Sequence, residues 1–129
     1  MKEPIFLTLA EVLAIHEFQI GKYGGTQGLR DLGLLESALS VPQASFGGEL
    51  LHGSLFKIAA AYAYHIAENQ PFLDGNKRAG LAAALVFLEL NGVSVDDPKG
   101  ALYDAMMDVA AKQMDKKGLA VILKRLAGS

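Results

Sequence analysis

The chain has no cysteine at all, and only four of its 129 residues are proline. Without thiols there is no disulfide framework, no thiolate zinc site and no cysteine nucleophile. Scarce proline leaves long stretches in which a helix can run unbroken. A basic surplus is missing too: 12 Lys and Arg stand against 14 Asp and Glu, a formal net charge of −2. That balance excludes a general nucleic-acid binder, whose surface needs excess positive charge. Long apolar runs are also absent. The longest without a formal charge, 58–67 and 79–88, have ten residues each, about half of what a bilayer span requires. At the N-terminus Lys2, Glu3 and Glu11 flank a short apolar stretch with no small-residue cleavage site, so no leader is expected. These absences point to a cytoplasmic chain with no membrane partner.

What is present is alanine, leucine and helical spacing, with 51% hydrophobic residues overall. The length suits one domain, 1–129, able to bury about two-thirds of the unfolded surface without a staple. Thr8 and Glu11 form a capping box that opens a first helix, which stops near Tyr23-Gly24-Gly25. A glycine-rich turn, 24–28, leads to Asp31, which caps a short helix over 32–39. Residues 42–53 carry Pro and three Gly without a clear period and read as a loop or a small hairpin. Ser54 caps a long helix reaching Asn69, and a second long helix spans 76–90 before Asn91-Gly92. Asp97-Pro98 reads as a cap and first-turn proline opening a helix to about Ala111, and 118–126 forms the last helix. The expected architecture is all-α, a single bundle of about six helices.

Chemistry concentrates between the two most hydrophobic helices, in Gln70-Pro71-Phe72-Leu73-Asp74-Gly75-Asn76-Lys77-Arg78. Gly75 permits close backbone approach, and the free amides at the helix start favour an anion. Lys77 and Arg78 add two cations beside them, and Asp74 can hold a Mg²⁺ that bridges phosphate oxygens. Each residue also has a plainer reading. Asp74 suits an N-cap, Lys77 and Arg78 suit a solvated helix face, and Phe72 suits a core anchor for the loop.

The order of these residues resembles the Fic/Doc motif, His-x-Phe-x-(Asp/Glu/Ala)-Gly-Asn-(Gly/Lys)-Arg. Lys77, in place of Gly, and Leu81, in place of a second Arg, are similar to the death-on-curing (Doc) branch. The likeness extends to 11–16, Tyr23-Gly24-Gly25 and 28–38, and so covers most of the chain. It implies the Fic/Doc helical fold and a toxin of a toxin–antitoxin module. Such a toxin transfers phosphate from ATP to a hydroxyl of a translation factor of the elongation factor Tu class. The same resemblance implies that Asp74 holds Mg²⁺ and that the amides of Gly75 and Asn76 cradle phosphate. Lys77 and Arg78 would neutralise charge on the transferred group. AMP transfer, the usual Fic reaction, is the second reading, because Lys77 would crowd the site such enzymes use for the outer phosphates.

One departure stands out. The family's catalytic His falls at Gln70, and an amide cannot take up a proton near neutral pH. His65 lies five residues upstream on the preceding helix and reads as a packed histidine, while His16 and His52 belong to other segments. The chain is therefore expected to be inactive as written. Gln70 is either an inactivating substitution in an otherwise intact toxin or the mark of a non-catalytic relic that binds nucleotide or antitoxin. No (Ser/Thr)-x-x-x-Glu-(Gly/Asn) inhibitory motif occurs: Ser45 and Glu49 have the spacing, but Leu50 follows. A separate Phd-like antitoxin is the expected regulator.

Overall fold

Local caps decide where most of the helices begin. The computed structural model describes residues 3–128, with Phe46 described by its backbone alone. Met1, Lys2 and Ser129 of the expected 1–129 domain lie outside the described residues. Helix α1 (Leu9–Tyr23) opens on the capping box: Thr8 Oγ1 accepts from Glu11 N at 3.1 Å, and Glu11 Oε1 accepts from Thr8 N at 2.8 Å. Asp31 caps α2 (Leu32–Ser40) through Leu34 N, and Ser54 caps α3 (Leu55–Asn69) through Lys57 N. Between α2 and α3 the chain makes a two-stranded antiparallel hairpin, β1 (Ser45–Phe46) and β2 (Glu49–Leu50), the second of the two possibilities read for 42–53. Helix α4 (Asn76–Leu90) follows the motif loop.

Two helix starts differ from the sequence expectation. Helix α5 runs Ala101–Ala110, so Pro98 is not its first-turn proline. Asp97 still caps it, but from farther back, accepting from Ala101 N and Leu102 N at 2.8 Å each across the intervening turn. Helix α6 runs Lys116–Leu126 and starts before Gly118, because Asp115 accepts from Gly118 N at 2.9 Å and so sets the cap three residues earlier. Among the described residues the fold is thus six helices and one small hairpin. None of these helices is long and apolar enough to cross a membrane.

Helices α3 and α4 form the centre, and their contact is made of small side chains. Ala59, Ala60, Ala63, Ala79, Ala83 and Ala84 are all fully buried. At the crossing, a methyl group placed on Gly80 would lie 2.7 Å from the Ala63 carbonyl oxygen. Larger residues fill the layers around this seam. Tyr62 is buried against Phe87, with ring centroids 5.3 Å apart, and its hydroxyl accepts from Leu7 N at 3.0 Å. Burial pushes the pKa of that hydroxyl up to about 12. Leu119 and Leu123 of α6, with Leu102 and Met106 of α5, complete the same cluster.

Beyond the seam, His52 from the end of the hairpin segment and His65 on α3 lie close to Lys116 of α6. Lys116 Nζ lies 3.3 Å from His52 Nε2, while His52 Nδ1 and His65 Nε2 are buried without hydrogen-bond partners among the described residues. Burial, reinforced by the Lys116 ammonium, lowers the pKa of both imidazoles, that of His65 to about 4. Glu68 opposes this at His65 and Lys57 adds to it at His52.

Two measurements test this packing. Gly→Ala in an open helical position gains about 1 kcal/mol, and Gly21 on α1, with nothing within 4 Å of an added methyl, is such a position. Gly21→Ala should therefore raise the urea midpoint, whereas Gly80→Ala should lower it, because overpacking costs about 1–3 kcal/mol. The buried histidines fix a pH dependence of known sign. A histidine whose folded pKa is depressed leaves the unfolded chain binding more protons, so its contribution is complete above about pH 6.5 and is lost toward pH 4. His65→Gln should flatten the fall in urea stability over that window relative to the parent chain.

Candidate functional site

The motif loop, 70–75, is short and is braced along its length by the segment 24–31. Pro71 O accepts from Arg30 N at 2.7 Å and from Asp31 N at 3.0 Å, and Gly28 O accepts from Leu73 N at 3.0 Å. Leu29 and Phe72 pair as an isolated antiparallel bridge. The Arg30 guanidinium donates to Gln70 O at 2.8 Å and Asn69 O at 3.1 Å. It therefore sits at the negative end of the α3 dipole and satisfies terminal carbonyls there. Position 70 is the α3 C-cap, held in the left-handed region at φ 49°, with its N–H bonded to Ile66 O.

Phe72 is the loop's core anchor, as its plainer reading had it. It is buried and stacks on the His16 ring with centroids 3.7 Å apart and planes 3° from parallel. His16 is itself only 3% exposed, and its Nε2 donates to Asp74 O at 2.7 Å. This corrects the sequence reading, which left His16 in an unrelated segment. A signal was present, since Val12, His16 and Ile20 lie on one face of α1 and all three are buried. Their spacing shows that the face is covered but not what covers it.

Asp74 does not cap α4. The N-cap is Gly75, at φ 73°, where a methyl group would lie 2.7 Å from Ile20 Cδ1. Asp74 instead spans the gap between two loops: Oδ1 accepts from Gly75 N at 2.8 Å, and Oδ2 accepts from Thr26 N at 3.1 Å. These two amide bonds, with the Arg78 charge as a smaller influence, hold the pKa of its carboxyl below the ordinary carboxylate range. Gly25 is the matching half of this contact, since a methyl group there would lie 2.7 Å from Asp74 Oδ2.

Because Gly75 brings no side chain, no side-chain cap occupies the first turn of α4, which leaves its amides facing the cleft. Asn76 turns its side chain back on the loop: Oδ1 accepts from Phe72 N at 2.9 Å, and Nδ2 donates to Phe72 O at 3.0 Å. Only its main chain is left for a ligand. Arg78 donates to Gly24 O at 3.2 Å and lies over the Tyr23 ring, 5.8 Å from its centroid. Lys77 is exposed at the rim.

A cleft of about 580 Å³ brings Gln70, Asp74, Gly75, Asn76, Lys77 and Arg78 to one surface. Phe72 lies beneath it. The far wall, which the sequence reading did not include, comes from Glu68 and from Tyr103 and Lys112 at either end of α5. Among the described residues no three His, Cys, Asp or Glu converge on a point. Asp74 alone therefore suits only a cation that takes its other ligands from phosphate and water, which is the habit of Mg²⁺.

With this geometry in hand, known proteins give a consistent comparison. The model of the Fic/DOC family matches residues 6–88. The protein named Protein kinase doc, from Escherichia phage P1, is 37% identical over 120 residues, covering 92% of this chain and 93% of its own length. Toxin Doc from Mycolicibacterium smegmatis is 37% identical over 109 residues, covering 83% of this chain and 84% of its own.

The His16 contact carries its own test. His16→Phe keeps a flat ring on Phe72 but removes the donor to Asp74 O, and should cost about 1 kcal/mol in a urea titration. His16→Ala removes the ring as well and should cost about 2–4 kcal/mol. Equal losses in the two variants would show that the hydrogen bond and not the stack holds the loop.

Proposed function

Because the chain belongs to the Fic/DOC family, we propose that it is a Doc-like toxin built to transfer phosphate from ATP to a translation-factor hydroxyl, and inactive as written. The observation that carries this reading is the uncapped start of α4 opening into the same cleft as the ionised, exposed carboxylate of Asp74. Phosphoryl transfer asks a protein chiefly for positioning and for charge stabilisation. The amides of the α4 first turn point at bound phosphate without having to reorganise. Lys77 adds a point charge at the rim. Arg78, already fixed by Gly24 O and the Tyr23 ring, presents its remaining N–H groups from a set position.

Mg²⁺, when bound, neutralises charge on the phosphate oxygens. Asp74 is the residue to hold it, since each carboxylate oxygen accepts one amide N–H and keeps a further lone pair. Gln70 lies in the cleft where the family's His would receive the proton of the attacking hydroxyl. Its amide can orient that hydroxyl but cannot take the proton, so the step stalls. We place the protein in the cytoplasm, where ATP and translation factors are found, with a separate Phd-like antitoxin as its partner. Elongation factor Tu represents the target class.

Restoring the base is the decisive experiment. Gln70→His, purified free of antitoxin, should label a translation factor from γ-labelled ATP in the presence of Mg²⁺. Label from the adenylate instead would convert the reading to AMP transfer. No label from either would leave a binding relic in place of a toxin. In the restored background Arg78→Ala should lower the rate about 100-fold or more, with circular dichroism confirming that the fold survives. Undiminished transfer would remove Arg78 from the mechanism.

A further inference from the structure

Lys112 stands just past the end of α5 and, unusually for a non-glycine residue, in the left-handed region at φ 62°. Its ammonium reaches α3 along the far wall of the cleft, where it donates to both oxygens of Glu68 at 2.7 and 2.6 Å. The Lys112 side chain is 71% exposed and that of Glu68 only 21%, so the lysine is the movable half of the pair. Tyr64 lies beside Glu68, and burial together with that carboxylate's charge raises the pKa of the tyrosine. The pair forms the wall between the phosphate cleft and a neighbouring cavity of about 490 Å³.

We propose that Lys112 is a phosphate-binding cation of the cleft, held on Glu68 until a nucleotide arrives and then transferred to its outer phosphates. This rests on the nucleotide reading given above and adds to it a residue from outside the motif. On the α4 side of the cleft the cations are Lys77 and Arg78, the latter fixed in place through one N–H to Gly24 O and by the Tyr23 ring. A nucleoside triphosphate carries several negative charges, so a cation from outside the motif adds to the stabilisation that Lys77, Arg78 and the amides give. Lys112 is the cation on the opposite wall. Its flexible four-carbon stem lets the ammonium swing without backbone movement. An exposed ion pair contributes little to stability, so exchanging one anion for a more highly charged one costs little. Glu68 then stores the cation and sets a threshold that weakly charged ligands do not cross.

The parent chain, lacking the base, should not consume ATP, so equilibrium binding of ATP with Mg²⁺ can be measured by titration calorimetry. Lys112→Met should weaken binding about tenfold, the scale of one hydrogen bond to a charged group. Glu68→Gln should tighten it, because the lysine is released. That gain should vanish when Lys112→Met is combined with it, as a double-mutant cycle requires of two coupled groups. A purely structural tie between α3 and α5 predicts instead that both single variants weaken binding alike. That result would overturn the proposal, as would unchanged binding by Lys112→Met. So would a Glu68→Gln gain that persists in the methionine background, since it would reflect only the loss of a repelling carboxylate. Lys77→Ala separates the role of Lys112 from the nucleotide reading beneath it. Binding lost there but untouched in Lys112→Met defeats only the role of Lys112, whereas no binding by the parent chain defeats the nucleotide reading itself.

Discussion

At Gly80 the backbone of α4 lies against the Ala63 carbonyl of α3 with no space for a methyl group between them. Everything at the site depends on that approach. Two helices this close, faced with alanine along the seam, cannot rotate or slide without opening voids or colliding. The six-residue connection between them therefore has fixed ends. A connection of that length between fixed ends has few conformations, and the motif loop occupies one of them, bonded to 24–31 through Pro71 O, Gln70 O and Leu73 N.

The second constraint is that the loop is satisfied from outside the helix pair. Pro71, Leu73, Asp74 and the end of α3 all share hydrogen bonds with residues 24–31, while Phe72 and the Asp74 carbonyl are held by His16 of α1. The glycines at 25, 28 and 75 mark where these surfaces meet, since a methyl group at any of them would strike a neighbouring side chain at 2.7 Å. Order in the motif loop is a property of contact between segments about 50 residues apart, made possible by the rigidity of the pair behind them.

This division explains what the sequence made legible. Helix starts at Thr8, Asp31 and Ser54 could be read because a cap is a contact over three residues. The starts of α5 and α6 were misplaced where the cap was local but its geometry was not. Asp97 reaches over a turn that Pro98 was expected to occupy as helix, and Gly118 drew attention from the Asp115 that bonds its amide. The cluster Asp74 to Arg78 was visible as a run of chemically apt residues in the right order. His16 and Glu68 were not, because each joins the site through a contact or a cleft wall shared with distant positions. Asn76 and Arg78 belong to the run, yet their side chains bond Phe72 and Gly24, a use no local pattern displays.

The way Arg30 grips position 70 has an evolutionary corollary. It takes hold of the main-chain carbonyl alone, while the backbone N–H is bonded within α3, so the scaffold takes no account of the side chain that projects from that point. Any unbranched residue comfortable in the left-handed region leaves the loop's hydrogen bonds intact. Glutamine and histidine codons differ only in their third base. A single base change can therefore exchange glutamine for histidine at this position with the loop's main-chain hydrogen bonds kept. The loop's main-chain hydrogen bonds and the side chain at its first position are thus set independently of each other.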